Sequence, residues 1–184
     1  MLWTALVAAT FAQDGAWPEL PVPAAGSGGD GSKDAAVVIA IEDYFRAPDL
    51  PGARENGMAW VDWLGTARKI PVVKPIFDEN ATREQILADV AAVSREVRSG
   101  GRMWVIFIGH GAPSKDGKDG LLEGADVQQN AISIEARGVR RSELVGAIED
   151  NVPNNSNGVL LLDACFSGQT ASGDLAAGLA PLRD

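Results

Sequence analysis

The chain has one cysteine and one histidine in 184 residues. A lone cysteine rules out an internal disulfide, and with a single histidine it rules out a zinc site built from several Cys and His ligands. Positive charge is scarce too: 16 Lys and Arg stand against 25 Asp and Glu, for a net charge of -9. Phosphate binding needs a basic patch, so this balance argues against nucleic acid as a partner. The one basic cluster, Arg137, Arg140 and Arg141, reads as solvated surface. There is also no apolar run of bilayer length. The run Met1–Ala12 is too short to span a membrane, and with small Thr10 and Ala12 near its end it reads as a signal peptide over residues 1–13. A secreted or periplasmic protein is therefore expected, the alternative being a cytoplasmic one.

What remains is ordinary globular material, 46% hydrophobic and 22% charged, enough for one domain with a real core. Residues 14–34 are rich in Pro, Gly and Ser and read as a linker, with the domain covering 35–184. Four apolar runs, 35–41, 71–77, 102–108 and 158–163, have the character of strands buried on both faces. They alternate with helical candidates at 52–66, 82–98 and 140–150. In the second of these Thr82 and Gln85 suit a capping box and Ile86, Leu87, Val90, Val93 and Val97 make one face. Short crossovers between parallel strands predict a right-handed α/β fold, a three-layer α/β/α sandwich with a mainly parallel sheet. The glycine-rich, charged stretch 112–138 breaks the rhythm, and ISIEA at 132–136 is expected to add a short strand within it.

In open parallel sheets, ligand and catalytic groups gather outside the carboxyl ends of the strands. His110 lies in IGHG just past the third run, and Cys165 lies in DACFSG just past the fourth. The chain's only imidazole and only thiol thus share one sheet edge. Gly109 and Gly111 leave room for a substrate backbone beside the imidazole, and Ser167 and Gly168 suit a tight turn that exposes the thiol.

The G-H-G at 109–111, the D-A-C-F-S-G at 163–168 and the 55 positions between His110 and Cys165 resemble the caspase and metacaspase group of cysteine peptidases, where the spacing is about 50. AVVIAIEDY at 36–44 and LPGARENGMAW at 50–60 are similar to that group's first strand and helix entry. The resemblance implies a cysteine-type endopeptidase acting on protein or peptide substrates. Cys165 would be the nucleophile, His110 the group that manages protons, and the backbone amides of Gly111 and Cys165 the oxyanion hole. The sequence itself requires no cofactor and no resident metal. Calcium, which some metacaspases require, would have Asp116, Asp119, Glu123 and Asp126 as candidate ligands, but their spacing matches no EF-hand and solvated surface is the preferred reading. The family continues past its nucleophile into two further strands, so a chain ending at Asp184 is expected to lack them.

Asp163 sets the expected specificity. Two positions before the cysteine on an extended strand, it can project into the same pocket, and metacaspases carry aspartate there and cut after Arg or Lys. The alternative is that Asp163 caps its own turn. Asp43 is a further candidate lining residue, and Lys115 and Lys118 would be self-cleavage sites if the P1 residue is basic. The competing function is a non-catalytic caspase-like module that binds a partner.

Overall fold

The computed structural model describes residues 30–164. The expected signal peptide at 1–13, nearly all of the linker, and the segment from Cys165 onward lie outside the described residues. Gly31–Asp34, at the end of the expected linker, belong to the domain: Gly31 N–H donates to the Arg68 carbonyl and Asp34 is buried.

Four parallel strands form the main sheet in the order β2-β1-β3-β7: β1 (Ala35–Ala40), β2 (Val72–Phe77), β3 (Arg102–Ile108) and β7 (Asn157–Asp163). Every residue of β1 is buried, because its strand has a covering layer on each face. Val37 and Ile39 point to one side, where α2 (Arg83–Ser94) and α4 (Arg141–Glu149) supply Ile86, Val90, Leu144 and Ile148. Ala36, Val38 and Ala40 point to the other, against α1 (Ala53–Thr66). The result is the three-layer α/β/α fold expected. Small side chains set the spacing on the α1 side: a Cβ at Gly57 would lie 2.5 Å from that of Ala40. Pro75, which cannot donate to a ladder, is tolerated because β2 is an edge strand.

The strand boundaries match the apolar runs to within a residue at either end. In α2 the Thr82 hydroxyl accepts from Gln85 N–H, and the helix gives way after Ser94 to tighter turns, with Glu96 N–H bonded to the Val93 carbonyl and Val97 N–H to that of Ser94.

The stretch 112–138 carries a second, antiparallel sheet of three short strands in the order β4-β5-β6: β4 (Gly111–Pro113), β5 (Gly120–Leu122) and β6 (Val139–Arg140). Here the sequence reading needs correcting. ISIEA is not a strand but lies within the helix α3 (Ala131–Arg137). Asn130 caps it by accepting from Ser133 N–H, Ile132 is 83% exposed, and the β5 edge that a strand would join is taken by β6. The three arginines of the basic cluster are each matched to a carboxylate: Arg137 to Asp126, Arg140 to Glu135 and Arg141 to Asp119. No described helix is long and apolar enough to cross a membrane.

Candidate functional site

The carboxyl ends of all four parallel strands contribute to one edge of the domain. β3 ends at Ile108, paired with Asp163 at the end of β7, and Gly109 N–H donates to the Asp163 carbonyl at 3.2 Å. His110 follows one residue later. Cys165, the expected nucleophile, lies outside the described residues, one position after Ala164. His110 and Asp163 therefore sit at the same sheet edge.

His110 is held from three directions. Its Nε2 lies 2.8 Å from the Pro48 carbonyl oxygen. A carbonyl only accepts, so Nε2 carries the proton, and in the neutral ring Nδ1 is the free acceptor. Its backbone N–H donates to the Tyr44 hydroxyl at 2.8 Å, and the Tyr44 ring packs on the imidazole with centroids 4.7 Å apart. Burial raises the Tyr44 phenol above its ordinary range, so it stays neutral. The tight fit explains Gly109: a Cβ there would be 2.7 Å from the Tyr44 oxygen. On the third side Glu123, at the end of β5, donates its N–H to the His110 carbonyl.

The loop bearing Tyr44 and Pro48 is pinned by carboxylates. Asp78, at the end of β2, adopts a left-handed conformation with φ 49, which aspartate tolerates better than most residues. Its Oδ1 accepts from the N–H groups of Glu42 and Asp43, and its Oδ2 pairs with Arg54 on α1. Burial alone would raise the Asp78 carboxyl, but those donors outweigh it and hold its pKa below the ordinary value. Glu42 in turn accepts from Gly52 and Arg54 N–H groups at the start of α1, and Asp49 accepts from Tyr44 N–H. Asp43 itself is exposed and donates only its backbone N–H to Asp78. Its carboxyl is raised, by desolvation first and then by Asp78, Asp49 and Glu42.

Gly111 opens β4 opposite Leu122. The pairs on either side of this one, His110 with Glu123 and Ser114 with Asp119, carry ladder hydrogen bonds in step with alternating registers. The 111/122 pair is therefore of the non-hydrogen-bonded kind, and the Gly111 amide faces away from β5, on the side of β4 where no described strand pairs. Asp163 is exposed, and its carboxyl has no hydrogen bond or ion pair among the described residues.

The four acidic residues considered for calcium have separate duties. Asp116 accepts from Ser114 and Lys118, Asp119 takes the Ser142 N–H at the start of α4, Glu123 lies beside His110, and Asp126 pairs with Arg137. Among the described residues no three His, Cys, Asp or Glu side chains are grouped to hold a metal. Lys115 and Lys118 lie in the β4–β5 turn.

Sequence reasoning missed Pro48, Tyr44 and the Asp78–Arg54 pair, and it named Glu123 only as a candidate calcium ligand, not as a neighbour of His110. A signal existed for two of them: Tyr44 and Asp78 follow the first two apolar runs just as His110 and Cys165 follow the others.

No protein-family model and no curated protein matches the chain. Among solved structures it is similar to the crystal structure of protein GSU0716 from Geobacter sulfurreducens, with a TM-score of 0.59 and 15% identity over 74% of this chain. The chain spans about half, 52%, of that structure's length. At this identity the likeness extends to the fold.

Proposed function

We propose that the protein is a cysteine-type endopeptidase in which His110 and Cys165 form the catalytic dyad and Asp163 selects Arg or Lys at P1. The observation that carries this reading is the state of His110: Nε2 anchored on a main-chain carbonyl, Nδ1 left as the acceptor, at the sheet edge where Asp163 ends β7. In the proposed reaction Nδ1 takes the proton of the Cys165 thiol, and the sulfur attacks the peptide carbonyl carbon. The carbonyl electron pair moves onto oxygen, where the Gly111 and Cys165 amides receive it. Collapse breaks the C–N bond as His110 returns the proton to the leaving amine. Water, deprotonated by His110, then hydrolyses the thioester and restores the thiol. No carboxylate is needed to orient the imidazole, because the Pro48 carbonyl does so and a thiol ionises readily.

A carboxylate with no partner among the described residues, at the same sheet edge as His110, suits a cationic side chain, which would arrive with its own charge to offset. The test is a set of reporter peptides ending in Arg, Lys or Asp, offered to wild type, Cys165→Ala and Asp163→Ala. Cleavage after Arg or Lys that requires both residues is the expected result. Cleavage after Asp, or cleavage that survives Cys165→Ala, would sink the proposal, and a protein that binds such peptides without cutting them would be the partner-binding module instead.

A further inference from the structure

We infer that Glu123 is a positioning residue for His110, a buried carboxyl that takes the imidazolium as its charge partner whenever His110 carries a second ring proton. The inference rests on the reading of His110 as the proton carrier of the dyad. The register supplies the geometry. Gly111 pairs with Leu122, and the hydrogen bond from Glu123 N–H to the His110 carbonyl continues that antiparallel register by one step. Residues directly opposite in such a pair project their side chains to the same face, with Cβ atoms roughly 5 Å apart.

Glu123 is only 9% exposed, yet its carboxyl makes no hydrogen bond and no ion pair among the described residues. Its oxygens keep a small contact with solvent, which stands in for the partners that buried carboxylates normally have. The titratable groups near it are His110 from the end of β3 and Tyr44 from the loop after β1, and Tyr44 stays neutral. Burial raises the Glu123 carboxyl above its ordinary value, and His110 is the one group that pulls it back down. Among the described residues the imidazolium is the one cation that acts on this carboxylate. When Nδ1 takes the thiol proton, the Nε2 proton stays on the Pro48 carbonyl and Glu123 gains and loses none. It acts through its charge alone, favouring the thiolate–imidazolium pair over thiol and neutral imidazole.

Because His110 is the only histidine, its ring signals in the full-length protein, followed by NMR across pH, report this coupling whether or not a substrate is cleaved. In wild type those signals should carry a second inflection from a carboxyl titrating above the ordinary range, and Glu123→Gln should lose it. In the reporter-peptide assay kcat of Glu123→Gln should fall about tenfold, the size of one charge interaction of ~1.4 kcal/mol, with KM unchanged. Glu123→Asp should recover part of it. A structural glutamate would behave otherwise: its Gln variant would melt lower at pH 7, whereas a carboxyl kept at the expense of stability gives a Gln variant that melts at or above wild type. Superimposable histidine titrations in wild type and Glu123→Gln would overturn the inference. Absence of cleavage by the wild type would count against the peptidase reading while the titration still decides the coupling.

Discussion

Two buried carboxylates at opposite ends of the sheet have opposite surroundings. Asp34, at the amino end, accepts from Arg102 N–H at 2.9 Å and from the Trp104 indole at 3.0 Å, with the Arg68 guanidinium 3.9 Å away and lying over the Trp104 ring. Glu123, at the carboxyl end, has no fixed donor among the described residues. Both are more than nine-tenths buried, so burial does not separate them. Partners do. A carboxylate whose lone pairs are filled ties strands together, and one whose lone pairs are open is available for an event.

The contrast can be broken in four places. His110→Ala should have the largest effect, a loss of about a thousandfold in kcat/KM, within the range for removal of a general acid–base group, with the melting temperature little changed. Asp34→Ala should cost about 3 kcal/mol of stability in urea unfolding, because it leaves Arg68 and two N–H donors without their buried acceptor. It should spare the activity of the fraction that remains folded. If it instead abolished cleavage in a protein of normal stability, the division between the two ends would fail.

Asp78→Asn should be intermediate, near ~2 kcal/mol, from the weakened bond to Arg54 and the loop amides. Its pH dependence has a definite sign. The folded Asp78 carboxyl titrates below its unfolded value, so its contribution is present above the ordinary carboxylate range and is lost as pH falls through the folded value. The variant should accordingly show a shallower acid limb in a plot of stability against pH, and an unchanged limb would remove Asp78 from the account of the loop. Smallest is Tyr44→Phe, which deletes one hydrogen bond to His110 N–H and should cost about 1 kcal/mol while keeping the ring stack. A kcat loss larger than that figure implies would show that the hydroxyl positions the imidazole and does not merely fill space.

The sheet was readable because β1 and β3 are covered on both faces and so carry uninterrupted apolar runs. ISIEA was misread because two isoleucines at alternate positions look like a strand, and nothing in five residues reveals that Asn130 caps a helix or that the neighbouring edge is occupied. At the site, His110 and Cys165 were raised by the rule that chemistry collects at strand ends, and Asp163 by its place two positions before the cysteine. The same rule, applied to β1 and β2, would have raised Tyr44 and Asp78. Glu123 was hidden differently: among the acidic residues of a glycine-rich stretch it resembles solvated charge, and only the β4–β5 pairing turns it inward. Pro48 had no signature at all, since what it contributes is a main-chain oxygen.

Every residue has that oxygen, so no side-chain replacement deletes it. What the loop 42–52 must preserve is its path from β1 to α1, and hence the number of residues along that path. Substitutions at exposed positions such as Phe45 and Arg46 should be absorbed, whereas adding or removing a single residue between Tyr44 and Leu50 would carry the carbonyl away from Nε2. For this segment, length carries the information and spelling is secondary.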